Sequence, residues 1–101
     1  IGPGIERFWK DVGICAHTIL LRATEMGLGG CMIGNFSPAE VSTVRGLPPH
    51  LKPVLVIALG KPDEKIVLTE LHPGESHHYY RDENDVHYVP KRPLADLIVK
   101  K

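Results

Sequence analysis

A chain of 101 residues forms one domain at most, or a piece of one, and its 43% apolar content allows a core of modest size. Twelve Lys and Arg balance twelve Asp and Glu, so no net field draws the chain to DNA, RNA or an anionic membrane. The longest apolar run, Pro53-Val-Leu-Val-Ile-Ala-Leu59, is far short of a membrane span. Neither nucleic acid nor membrane is therefore expected as a partner.

The opening Ile1-Gly-Pro-Gly-Ile-Glu has no basic n-region and no apolar h-region, so no signal peptide is read there. It also lacks an initiator Met, which sets the expectation of a chain that starts inside a longer reading frame. Cys15 and Cys31 stand sixteen apart with no Cys-x-x-Cys, and read as buried thiols of a reducing cytosol.

From Phe8 to Met26 the apolar residues Phe8, Val12, Cys15, Ile19, Ala23 and Met26 recur at helical steps, which predicts a long helix. Ile14, Leu20 and Leu21 widen the stripe, so cover on most sides is expected. Gly27 stands where a residue of positive φ closes a last turn. Gly29-Gly-Cys-Met-Ile-Gly34 then reads as a short extended segment. Ser37-Pro-Ala-Glu40 opens a second helix: Ser37 caps, Pro38 takes the first position, Glu40 completes a capping box, and Gly46 ends it.

Val54 to Leu59 is a strand of continuous rather than alternating apolarity, which implies cover on both faces. Lys65 to Leu71 and Asp85 to Val89 are weaker extended candidates. His72 to Asn84 reads as polar surface or partner-facing chain, and Pro93 to Val99 as a short terminal helix. One convincing central strand does not make a sheet, so the remaining strands are expected from further chain or a partner.

Gly27, Gly29, Gly30 and Gly34 fall within eight residues. Two readings stay open: a helix stop followed by a bent strand, or a backbone that must approach a flat ligand closely. The order differs from the dinucleotide fingerprint Gly-x-Gly-x-x-Gly, whose glycines precede a helix.

The run from Asp11 to Gly34, Asp-Val-Gly-Ile-Cys-Ala-His-Thr-Ile-Leu-Leu-Arg-Ala-Thr-Glu-Met-Gly-Leu-Gly-Gly-Cys-Met-Ile-Gly, resembles the nitroreductase family. The similarity continues through Phe36-Ser-Pro-Ala-Glu-Val, Gly46-Leu-Pro, Pro53 to Pro62, Tyr80-Arg-Asp and Val86-His-Tyr-Val-Pro-Lys-Arg-Pro-Leu. It identifies residues 1–101 as the C-terminal portion of one such domain. The implied fold is α+β, part of a nitroreductase-like sandwich in which helices cover an antiparallel-rich central sheet, incomplete in this chain.

The resemblance further implies a cytoplasmic homodimer with FMN at the subunit interface and NAD(P)H as electron donor. The acceptor would be a nitroaromatic, a quinone or a similar small molecule. Met32, Ile33, Gly34 and Asn35 would run beside the isoalloxazine, with the Gly34 and Asn35 amides reaching N5 and O4. Fixed N–H donors there stabilise the charge of reduced flavin, so no catalytic side chain is assigned. Lys91 and Arg92 would meet the flavin phosphate, Arg92 with the better-suited fork.

Two departures stand out: the family's Arg-Arg-Ser-like phosphate cluster has no counterpart, and Met32 occupies a position often Pro or Trp. Two other functions remain open. One is a non-catalytic half that folds only on a complementary chain; the other is a family member using flavin for a reaction such as dehalogenation. His72, His77, His78 and His87 lack metal-ligand spacing and read as a polar dimer-facing loop, so no metal is assigned. His17 reads as a half-buried helix histidine.

Overall fold

The computed structural model describes residues 3–100, with side-chain surroundings from residue 8 onward. Ile1 and Gly2 of the opening segment lie outside the described residues. Mixed helix and strand content makes the chain α+β, and it divides into two compact units, Ile1–Pro62 and Asp63–Lys101.

In the first unit, helix α1 spans Pro3–Glu25. Gly27 ends it at φ 79°, and Leu28 and Gly27 donate their amides to the Ala23 and Thr24 carbonyls at 2.8 and 3.0 Å. These are the paired bonds that satisfy the last carbonyls of a helix closed by a left-handed residue. Strand β1 (Gly29–Ile33) follows, then α2 (Pro38–Arg45) and β2 (Val56–Gly60). Ser37 Oγ accepts the Glu40 amide at 3.3 Å, and Gly46 closes α2 at φ 62°. Both ends of α2 fall where the sequence places them.

β1 and β2 pair antiparallel, with Gly30 opposite Leu59 and Met32 opposite Ile57. A Cβ on Gly30 would fall onto the Leu20 and Leu59 side chains, so the face carrying Gly30, Met32, Ile57 and Leu59 is turned toward α1. The helix seats on it through Ala16 and Ala23, the buried apolar residues of the described chain, with Val12 and Leu20 half-buried beside them. Val12 and Ala23 of the expected stripe lie at this contact, while Ala16 and Leu20 take the places expected of Cys15 and Ile19. Small Ala side chains make the closest approach, whereas Cys15, Ile19 and Met26 stay exposed. Cys15 and Cys31 are free and exposed rather than buried, because Cys15 flanks the Ala16 contact and Cys31 alternates to the opposite face of β1.

That opposite face carries Cys31, Ile33, Val56 and Ala58, half-buried or exposed. The strand expected from Val54 begins at Val56; Val56 and Ile57, on its two faces, are both half-buried, and Ala58 and Leu59 are exposed.

The second unit is a three-stranded sheet in the order β3-β5-β4, formed by β3 (Ile66–Glu70), β4 (Tyr80–Arg81) and β5 (His87–Lys91), followed by a short α3 (Leu94–Leu97). β3 runs parallel to β5 and β4 antiparallel to it. The amides of His87 and Leu71 bond to the Lys65 and Lys91 carbonyls at 2.9 and 2.8 Å, closing both ends of the parallel pair. β4 lies within the segment expected to be loop. Its two residues are held by the turn that Asp82 organises: Oδ1 accepts the Asn84 and Val86 amides at 2.9 and 3.0 Å. Asp85 in that turn has φ 60°, a left-handed conformation that Asp tolerates better than bulkier residues. No helix of the described residues is long and apolar enough to cross a membrane.

Candidate functional site

Met32, Ile33, Gly34 and Asn35 lie at the end of β1 and in the bend that leads to α2. Pairing ends at Ile33 opposite Val56, so the chain leaves the sheet with its backbone open. Neither Gly34 nor Asn35 donates its amide to a backbone carbonyl among the described residues. A Cβ on Gly34 would meet nothing within 4 Å, whereas one on Gly30 would strike two leucines. The two glycines therefore answer different needs. Gly30 admits helix α1 to the hairpin, and Gly34 leaves main-chain donors bare to whatever approaches. Of the two alternatives open in the sequence, the helix stop followed by a strand is the one seen, with Gly27 closing α1 and Gly29 and Gly30 opening β1.

Gly34 also lines a cleft of about 660 Å³ with Phe8, Trp9, Phe36, His50 and Lys52. The Phe8 and Trp9 rings meet edge to face, centroids 5.5 Å apart at 71°. The sequence reading assigned Phe8 to a core stripe and gave Trp9 no role. Its signal was the adjacency of two aromatic residues on one helix, which cannot both face the same core.

Lys91 and Arg92 belong to the second unit, at the end of β5 and just past it. Lys91 is exposed, and its carbonyl is used by the Leu71 amide. Arg92 lines a cleft of about 400 Å³ with His72, His77, Glu75, Gly74 and Asp96. Neither Lys91 nor Arg92 enters an ion pair among the described residues. Arg81 differs. It bonds Glu64 at 2.5 Å and Asp85 at 3.2 Å, so its guanidinium is committed to holding the turn before β3 against the β4–β5 hairpin. The hydrogen bond from Arg81 holds the Glu64 carboxyl below the usual range, and Glu64 raises Arg81 in return.

Asp82 and Tyr88 form a second fixed pair, missed by the sequence reading, with the Tyr88 hydroxyl donating to Oδ2 at 2.9 Å. The Val86 amide and then the Tyr88 hydroxyl push the Asp82 carboxyl below its ordinary value, and Tyr88 is pushed up by the same bond. Tyr80, directly opposite Tyr88 in the register, stacks on it at 5.0 Å and 13°.

The four crowded histidines take different places. His72 and His77 reach the Arg92 cleft, and the His77 and His78 rings lie 4.5 Å apart. His87 is half-buried against Tyr79, its ring nitrogens without hydrogen-bond partners. Among the described residues no group of three or more His, Cys, Asp and Glu could hold a metal ion. His17 is exposed on α1, not half-buried.

Gly34 and Asn35 thus offer unpaired main-chain donors in the first unit, and Arg92 stands outside any ion pair among the described residues of the second. The nitroreductase family model matches residues 3–61. Over 56 residues the chain is 43% identical to the NADPH-flavin oxidoreductase of Vibrio harveyi, a match that covers 54% of this chain and 23% of that relative. The chain thus spans about a quarter of the relative's length. With more than half of its residues inside the family model, the chain belongs to the nitroreductase family.

Proposed function

We propose that this chain is the C-terminal portion of a nitroreductase-like domain that binds FMN and passes electrons from NAD(P)H to a nitroaromatic, quinone or similar acceptor. The observation that carries it is the main chain at Gly34 and Asn35, immediately after a strand, whose amides donate to no backbone carbonyl among the described residues, with open space where a Gly34 Cβ would stand. FMN, when bound, supplies the two-electron chemistry that no side chain here provides. The residues fit it. The Gly34 and Asn35 amides would donate to the ring edge, where charge grows on reduction, and Met32 and Ile33 would flank the ring.

Arg92, and more weakly Lys91, would hold the phosphate dianion. Glu75 and Asp96 line the same cleft, and neither forms an ion pair with Arg92 among the described residues. The open apolar face of β1 and β2 supports a homodimer in which further chain and a second subunit supply the covering layer of the sandwich and the rest of the site.

The test is a titration of the intact protein with FMN, followed by anaerobic addition of NADPH or NADH. Stoichiometric uptake and bleaching of the flavin absorbance are expected. Uptake without bleaching would move the protein to a flavin reaction that does not use a nicotinamide donor. No uptake would leave a non-catalytic interaction half.

A further inference from the structure

His87 sits on the central strand of the second unit, opposite Ile66 of β3 and Arg81 of β4. Its backbone is satisfied, since the amide donates to the Lys65 carbonyl at 2.9 Å. Its side chain is not. Only 18% of it is open, and both ring nitrogens are closed off from water without a hydrogen-bond partner. Buried polar atoms are nearly always paired, so an orphaned imidazole asks for a reason. This chain supplies the cover by itself, and any further chain would only add to it.

The anion facing the ring is Glu64. Its Oε1 accepts from Arg81 at 2.5 Å, while its Oε2 lies 4.0 Å from His87 Nδ1, too far for a hydrogen bond. Arg81 is shared with Asp85 at 3.2 Å, and the Tyr79 ring packs on the imidazole at 5.0 Å. Tyr80 and Tyr88 stack on each other, Tyr88 is held by Asp82, and the Lys65 charge acts on Asp82 as well. Glu64, Asp82 and Asp85 therefore stand against Lys65 and Arg81, which leaves one negative charge over. A protonated His87 neutralises it. The hydrogen bond from Arg81 holds the Glu64 carboxyl below the usual range, so Glu64 stays ionised where imidazoles change charge.

We infer that His87 is a pH-operated latch: as pH falls, the ring takes a proton and closes on Glu64 Oε2. One carboxylate then ties the turn before β3 to β4 through Arg81 and to β5 through His87. A neutral ring would close the same gap more weakly, because a bond from a charged donor is about twice as strong. The latch stands at the start of the β3–β5 pair, whose far ends lead into His72 and Arg92, the walls of the cleft in this unit. It does not depend on the flavin reading.

Hydrogen exchange of the intact protein tests the latch at the His87 amide. Rates are measured at about pH 8 and about pH 5.5 and corrected for the pH dependence of exchange itself. Exchange should be slower at the lower pH by roughly two- to fivefold, the scale of a partly exposed ion pair. Glu64→Gln and His87→Gln should each abolish the slowing, whereas His77→Gln, outside this cluster, should keep it. Unchanged or faster exchange of the wild type at the lower pH overturns the latch. So does slowing that survives Glu64→Gln or His87→Gln, or that is lost in His77→Gln. If His87→Gln fails to fold, the wild type and Glu64→Gln still decide.

Discussion

Tyr88 donates its hydroxyl to Asp82 Oδ2 at 2.9 Å across the β4–β5 turn, while Oδ1 of the same carboxylate receives the Asn84 and Val86 amides. One side chain thus satisfies three donors, and these bonds hold the short strand β4 in register with β5. Asp82→Ala should lower the unfolding midpoint of the protein, Asp82→Asn less so, and Tyr88→Phe should remove only the hydroxyl's share. Urea unfolding of the three variants checks the order. Equal midpoints would show that the turn forms without the carboxylate.

The pH dependence follows from the same groups. Asp82 and Glu64 have carboxyls depressed below their ordinary values, by hydrogen bonds from Val86 and Tyr88 and from Arg81 respectively. An unfolded carboxyl takes up its proton near pH 4, and the folded one only at lower pH. Their contribution is therefore complete above that range and lost as pH falls through the folded values. Tyr88 is raised, so its share is present below about pH 10 and fades as pH rises above that. Denaturation midpoints measured across pH should fall at both ends, and Asp82→Asn should flatten the acid limb.

Gly30 and Gly34 should separate folding from binding. At Gly30 an added methyl meets Leu20 and Leu59, so Gly30→Ala is expected to cost about 1–3 kcal/mol of stability. At Gly34 nothing lies within 4 Å and φ is not left-handed, so Gly34→Ala should change stability by less than about 0.5 kcal/mol. It should nonetheless weaken FMN, because the methyl holds the ring away from the amides. Thermal melts of the flavin-free forms and FMN titrations distinguish the two effects.

The arginines divide in the same way. Arg92→Ala should weaken FMN binding by roughly 1.5–3 kcal/mol, the scale of a hydrogen bond to a charged group, with Lys91→Ala costing less. Arg81→Ala, which loses Glu64 and Asp85, should lower stability and leave the FMN dissociation constant within twofold. An unchanged constant for Arg92→Ala would make that residue a solvated charge.

Much of this was legible in the chain because caps and turns are local. Ser37, Pro38, Glu40 and Gly46 bound α2 in the sequence as in the structure, and Gly27 closes α1. The seat of α1 was legible in part: apolar counting finds Val12 and Ala23 but favours Cys15 over the small Ala16, which is the residue buried. Strand β4 escaped because two polar residues carry no period, and its cause is a side-chain bond pattern from Asp82. Of the candidate site, residues 32–35 and Arg92 came from family resemblance; the cleft at Trp9 and Lys52 comes from tertiary placement alone.

The open apolar surfaces bear on assembly. Ile14, Leu21 and Met26 on α1 and Ile33 on β1 are exposed, and Ile66 and Leu68 are exposed on β3. Removing such side chains from water is the main drive to folding, and two buried alanines among the described residues make a small core. Expressed alone, the 101 residues should aggregate or stay partly unfolded; a complementary upstream half, covalent or separate, should restore folding. A monodisperse product with a cooperative melt would mean that a second copy of this chain supplies the cover.

The most direct test of the flavin assignment is the identity of the bound chromophore. Heating the intact purified protein releases what the site holds, and its mass names it. FMN is the expected result, because Gly34 and Asn35 offer donors to a flavin ring, Arg92 suits a terminal phosphate, and the sequence lacks a dinucleotide fingerprint. Recovery of FAD, of haem or of no chromophore would contradict it.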